Sequence, residues 1–165
     1  MQLALHFTEA LALATAKDPL PPLIGAVRAE GSTVHAEIEL RHVPDASTAL
    51  RLAAAAVGTV PVTGRLVSYQ DGVATIEVTA QARGLPAHKL VPYLVGPING
   101  FLREQGLPPG LIEVQRGESA ALIVVQVQRA VETKVSGVTV TGLEMTDQVI
   151  RITAKVAAVG AVRVL

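Results

Sequence analysis

Apolar and polar side chains alternate with a period of two through most of this chain, and turn residues separate the alternating segments. From Val34 to Leu40 every second residue is apolar, which is typical of a β-strand with one face in the core. Asp71-Gly72 is the clearest turn, because glycine accepts a positive φ and aspartate tolerates it. The pattern predicts four β-hairpins and a short last strand. Their strands are expected over 23–30 and 33–43, 62–69 and 73–82, 111–116 and 120–131, 138–145 and 148–156, and finally 161–165.

The same alternation predicts which side chains are buried. A register slip of one residue would exchange the two faces of a strand, so the apolar positions define the inner face. The residues expected to be buried are Val34, Ile38, Leu40, Ile76, Val78, Ile150 and Ile152, and those expected to be more exposed are His35, Glu37, Glu77, Arg151 and Lys155.

Two segments have the three- and four-residue apolar spacing of amphipathic helices. The first runs from Ala46 to Val57, with Asp45 as the predicted N-cap and Gly58 as the predicted stop. The second runs over 87–105, and Gly96-Pro97 predicts a division into two short helices, because proline removes a backbone donor and crowds the preceding turn. The order of elements predicts an α+β fold, with antiparallel sheet or sheets built from successive hairpins and both helical segments packed on one face.

The length of 165 residues suits a single domain over 1–165, with residues 106–110 as the best candidate for a minor boundary. Near the start, Leu11 to Ala16 ends like a signal-peptide cleavage site. However, no Lys or Arg precedes it, and His6 and Glu9 interrupt the apolar run, so an ordinary first element of the domain is favoured. We expect no transmembrane segment, because no apolar stretch approaches the ~18 residues required. The compartment stays open, with the cytoplasm slightly favoured.

Composition argues against several classes of function. Basic and acidic residues balance at 14 each, and aromatic residues make up only 2% of the chain. Nucleic-acid binding normally needs a basic footprint and often aromatic stacking platforms, so no nucleic-acid partner is expected. The absence of cysteine excludes thiolate metal sites and a cysteine nucleophile. No cofactor is expected.

The best candidate cluster for catalysis or metal binding is His35, Glu37 and Glu39, which share one face of a predicted strand. Residues on one face are ~6.5–7 Å apart along a strand, so the three cannot converge on one ion without ligands from elsewhere. A solvated sheet face explains them better, and no metal site is predicted. None of the common nucleophile, phosphate-binding or zinc-binding motifs is present. The alternative function is an enzyme whose active site combines histidines, such as His42, with carboxylates from separate strands.

The chain has more apolar residues than one core face requires. Leu122 to Val125 is apolar on both faces, as is much of the second helical segment. Such residues lie in a covered central strand, line a cavity or contact another chain. We therefore expect a non-catalytic domain that binds an apolar small molecule or assembles into a homo-oligomer. The Gly96-Pro97 break and two of the four aromatic residues favour a ligand site beside this segment. Its expected residues are Leu90, Tyr93, Leu94, Ile98 and Phe101.

Overall fold

The computed structural model describes residues 1–44, 46–81, 86–116, 120–158 and 160–165, without the side chain of Ala49. Within them the helices are α1 (Phe7–Ala14), α2 (Thr48–Val57), α3 (Ala87–Glu104) and α4 (Val127–Lys134), with a 3-10 turn at Leu40–His42. The strands are β1 (Gln2–His6), β2 (Ile24–Glu30), β3 (Thr33–Glu39), β4 (Thr59–Gln70), β5 (Val73–Ala80), β6 (Ile112–Arg116), β7 (Ala121–Gln126), β8 (Val135–Ser136), β9 (Val138–Thr146), β10 (Val149–Val156) and β11 (Arg163–Val164).

The described strands form three antiparallel sheets. A six-stranded sheet has the order β2-β3-β4-β5-β7-β6, a three-stranded sheet has the order β1-β10-β9, and β8 pairs with β11. All four predicted hairpins are present, as β2–β3, β4–β5, β6–β7 and β9–β10, and the predicted α+β fold is confirmed. Because β7 pairs with β5, the large sheet continues across residues 106–110.

Helices α2 and α3 cover one half of the apolar face of the six-stranded sheet. The strand register places Ile38 opposite Val60, and Val78 opposite Ala121, on this face. Leu90 and Val91 of α3 are fully buried against it. The two-residue period of the strands and the 3.6-residue period of the helices place their apolar side chains in one layer between sheet and helices. The fully buried residues of this layer are all aliphatic. The buried cluster consists of Leu23, Ile38, Leu40, Val43, Leu50, Val60, Val62, Val78, Ala87, Leu90, Val91, Leu94 and Ala121.

The observed burial confirms the predicted inner and outer faces only in part. Ile38, Leu40 and Val78 are buried, although Leu40 lies in the 3-10 turn after β3 has ended. The other residues of the predicted sets divide by location. Val34, Ile76, Ile150 and Ile152 are half-buried, as are His35 and Glu77, while Glu37, Arg151 and Lys155 are exposed. Val34, Ile76 and Ile150 lie where the large sheet faces the three-stranded one, and Ile76 also packs against the buried cluster.

Both predicted helices need correction. Helix α2 begins at Thr48 because the Ser47 side chain accepts a hydrogen bond from the Leu50 amide, and the predicted cap, Asp45, lies outside the described residues. The predicted division at Gly96-Pro97 is wrong, since α3 is one helix that contains Pro92 and Pro97. Burial of its stripe against the sheet outweighs the lost backbone donors. No helix in the described ranges is long and apolar enough to cross a membrane.

Two further helices were not predicted. The predicted strand over 120–131 is wrong in its second half, because β7 ends at Gln126 and α4 follows directly. The backbone N–H of Gln128 donates to the Gly72 carbonyl, and this bond fixes the first turn of α4 against the β4–β5 turn. Helix α1 follows β1, with His6 as its N-cap and Glu9 completing a capping box.

Candidate ligand cavity

The half of the large sheet that α2 and α3 leave uncovered faces the three-stranded sheet across a cavity of about 370 Å³. Strands β3, β4, β5 and β7 form one wall, the β9–β10 hairpin forms the other, and the start of α4 closes one end. The lining residues are Val34, Gly64, Leu66, Ala74, Ile76, Val125, Val127, Leu143, Glu144, Met145 and Ile150.

Small residues on the sheet wall provide the space. Gly64 lies opposite Val34 on β3, and Ala74 lies opposite Val125 on β7. A Cβ atom built on Gly64 would meet only Ile76 Cγ2, at 3.5 Å, which is an ordinary van der Waals contact. The glycine therefore leaves a gap in the wall that a larger side chain would fill.

The lining is almost entirely apolar. Leu143 and Met145 flank Glu144, which is exposed, and strand alternation directs its side chain to the opposite face of β9. The remaining lining side chains carry no hydrogen-bonding group apart from the weakly accepting methionine sulfur. This arrangement suits an uncharged apolar ligand, because a buried charge here would lack a partner.

Packing around the cavity is looser than in the core beneath α3. Leu66, Ile76 and Ile150 are only half-buried, whereas Leu90 is 0% and Leu94 4% exposed. These lining side chains therefore have open space on one side and make fewer dispersion contacts than the residues of the core. A ligand in the cavity would restore those contacts.

Gln128 holds the β9–β10 hairpin in position over the sheet. Its side-chain Nε2 donates to the Val138 carbonyl at 3.0 Å, and its Oε1 accepts from the Val140 amide at 2.9 Å. The Tyr69 hydroxyl donates to the Val140 carbonyl at 3.1 Å, and partial burial raises the pKa of Tyr69. These side chains bond to the outer edge of β9 as a neighbouring strand would, and so anchor the first residues of β9 to α4 and β4.

We expect Gln128→Ala to lower the free energy of unfolding by about 1–2 kcal/mol, because it leaves two part-buried backbone groups of β9 without their partner. Urea unfolding monitored by circular dichroism measures this loss. Gln115→Ala, at an exposed position on β6, is the control and should stay within ~0.5 kcal/mol of the unmodified protein. Equal effects of the two substitutions would contradict the role given to Gln128.

The five residues expected from the sequence to bind a ligand lie elsewhere. Leu90 and Leu94 are in the core, and Tyr93 and Ile98 pack half-buried against it. Phe101 lines a separate groove between α3 and the proline-rich segment 18–22. The predicted site beside α3 stays a prediction, and the cavity described above is built from other residues.

The polar cluster predicted on β3 does not converge. His35 Nε2 is 3.7 Å from a Glu30 carboxylate oxygen, while Glu39 bonds to Arg41. A hydrogen bond from Arg28 and its positive charge lower the pKa of Glu30. Across the described ranges, no group of three or more histidine, aspartate or glutamate residues is placed to hold a metal ion.

The chain matches no family model, no curated protein and no solved structure.

Proposed function

We propose that this chain is a non-catalytic domain that binds an uncharged, apolar small molecule between its six-stranded and three-stranded sheets. The observation that carries the proposal is the cavity of about 370 Å³, whose inward side chains are all apolar. Ligand pockets of proteins commonly have volumes of ~300–1,000 Å³ and mostly hydrophobic walls.

Hydrophobic burial supplies the binding energy in this proposal. A ligand that buries roughly 300 Å² of apolar surface gains about 7 kcal/mol at ~25 cal/mol per Å². This gain alone corresponds to a dissociation constant of about 10 µM, and the loss of translational and rotational freedom offsets part of it, so a dissociation constant weaker than ~10 µM is expected. A ligand with a carboxylate would lose affinity, because none of the described lining residues directs a cation or donor side chain into the cavity to replace its hydration.

The experiment is a titration with N-phenyl-1-naphthylamine, a neutral fluorophore whose emission rises in apolar surroundings. Gly64→Val should fill the cavity and weaken binding of this probe at least tenfold. The same substitution should leave the free energy of unfolding unchanged or raised, because valine favours a strand and closes a void. Arg65→Val is the matched control, since it places valine on the exposed opposite face of β4.

Three outcomes would contradict the proposal. The first is that the unmodified protein, at a concentration of 100 µM, does not bind the probe. The second is a Gly64→Val variant that binds as tightly as the Arg65→Val control. The third concerns charge: 1-decanol should displace the probe at a lower concentration than decanoate, and equal displacement would show that the site accepts anions.

A further inference from the structure

The outer edges of the two larger sheets differ in how they are protected. These edges are β2 and β6 in the six-stranded sheet, and β1 and β9 in the three-stranded sheet. An edge strand presents backbone N–H and C=O groups that can pair with another chain, and proteins block such pairing with charges, bulges or covering groups.

Three of these edges carry such protection. On β9, Gln128 and Tyr69 occupy the outward Val138 carbonyl and both outward backbone groups of Val140, as described above. On β6, Asn99 Nδ2 donates to the outward Ile112 carbonyl, and the strand carries two charged residues. Strand β2 has an irregularity in its pairing with β3, together with a charged pair at Arg28 and Glu30.

Strand β1 has such protection only at its last residue, His6, whose N–H donates to Glu9 Oε2. Its five residues are uncharged apart from the titratable His6, and they contain no proline and no bulge. Leu3 is 46% exposed. Within the described part of the chain, the outer side of β1 pairs with no other strand.

The pairing with β10 shows which backbone groups of β1 face outward. Met1 exchanges backbone hydrogen bonds with Ala154, and the Phe7 N–H donates to the Gln148 carbonyl, so both residues bond toward β10. Hydrogen-bonding direction alternates along an antiparallel strand, so the odd-numbered residues bond to β10 and the even-numbered ones point outward. The His6 N–H is occupied by Glu9 Oε2 at 2.8 Å. The backbone groups of Gln2 and Ala4 remain for a partner strand.

We infer that a second copy of this chain pairs with β1 in an antiparallel, two-fold symmetric arrangement centred on Leu3. This register places Gln2 opposite the partner's Ala4, and Ala4 opposite the partner's Gln2. Each of these two pairs exchanges both of its backbone hydrogen bonds, so every outward group of Gln2 and Ala4 is used. Centring the axis on Ala4 instead would require the His6 N–H that Glu9 already holds.

Self-complementarity is the reason for choosing a second copy over a strand of a different protein. On the axis, Leu3 faces the partner's Leu3 as a non-hydrogen-bonded pair, with Cα atoms ~4.5 Å apart. The central residues that meet, Gln2, Leu3 and Ala4, carry no charge to repel a like strand or to select an unlike one. The two three-stranded sheets become one six-stranded sheet, and the isologous contact closes as a dimer.

Leu3→Cys tests the register directly, because the chain contains no other cysteine. The Cα separation at the axis lies within the range that a disulfide spans. With oxidised glutathione at micromolar protein concentration, this variant should convert almost completely to a covalent dimer. Leu13→Cys is the control, since Leu13 is 67% exposed and belongs to α1 rather than to the edge strand. Equal cross-linking rates of the two variants would overturn the register.

Ala4→Pro tests the pairing itself. It removes an outward N–H that has no partner in the described fold, so the single chain should still fold, whereas Ala4→Val keeps that donor. In sedimentation experiments, the unmodified protein and Ala4→Val should have twice the 17.1 kDa chain mass, and Ala4→Pro should have the chain mass alone. A 17.1 kDa unmodified protein at 100 µM, or an intact dimer of folded Ala4→Pro, would overturn the inference. Neither result bears on probe binding in the cavity.

Discussion

Replacing Leu90 with alanine is expected to lower the free energy of unfolding by about 3–5 kcal/mol, a loss at the upper end for leucine truncations. Leu90 is 0% exposed and belongs to the cluster between α3 and the six-stranded sheet. Val60 and Val91 in this cluster are also fully buried. The removed methyl groups would leave a void, because α3 is held by buried residues along its first two turns and cannot collapse into the space. Urea unfolding monitored by circular dichroism measures the loss.

Leu52→Ala provides the control on another helix. Leu52 is 67% exposed on α2, so its truncation should change the free energy of unfolding by less than ~0.5 kcal/mol. The Leu90 variant also separates the two ligand sites considered above. Binding of N-phenyl-1-naphthylamine should be unchanged in folded Leu90→Ala, because Leu90 does not line the cavity between the sheets. A stability loss below 1 kcal/mol, with weakened probe binding, would instead favour the site predicted beside α3.

The hairpins could be predicted from the sequence because their signals are local. Alternation over 33–39 and 73–80 and the Asp71-Gly72 turn specify strands and their connection without reference to distant residues. The continuity of α3 through Pro97 could not be predicted in this way. It depends on burial of Leu90 and Leu94 against strands that are distant in sequence, and this burial outweighs a local helix-breaking signal.

The cavity was missed for a related reason. Gly64 and Ala74 are small residues within apolar strand faces, which is a visible signal, but small residues also occur in well-packed sheets. Their effect depends on what lies opposite them, and here the opposite wall is supplied by Met145 and Ile150 from another sheet. Which sheet faces which is decided by pairing between residues far apart in sequence, and alternation alone does not specify it.

Gly72→Ala is expected to lower the free energy of unfolding by about 2–4 kcal/mol, through backbone strain and overpacking together. Gly72 has a φ of 81°, in the left-handed region that alanine enters only at a cost. A Cβ atom at this position would also lie 2.5 Å from the Cβ of Gln128, which is too close. The backbone N–H of Gln128 donates to the Gly72 carbonyl at 3.0 Å, so the two backbones cannot separate without breaking this hydrogen bond.

Comparison with Gly31→Ala separates the cost of the Gly72–Gln128 contact from the cost of backbone strain. Gly31 occupies the β2–β3 turn with a φ of 60°, and an added Cβ would have no atom within 4 Å, so this variant should lose only about 1 kcal/mol. The larger loss in Gly72→Ala should persist in a Gln128→Ala background, which keeps the clashing Cβ, and shrink in a Gln128→Gly background. Displacing α4 should also move Val127 at the end of the cavity and weaken probe binding. Equal losses in Gly31→Ala and Gly72→Ala would mean that α4 is not fixed against the β4–β5 turn, and the cavity would then lack the rigid wall that the proposed function requires.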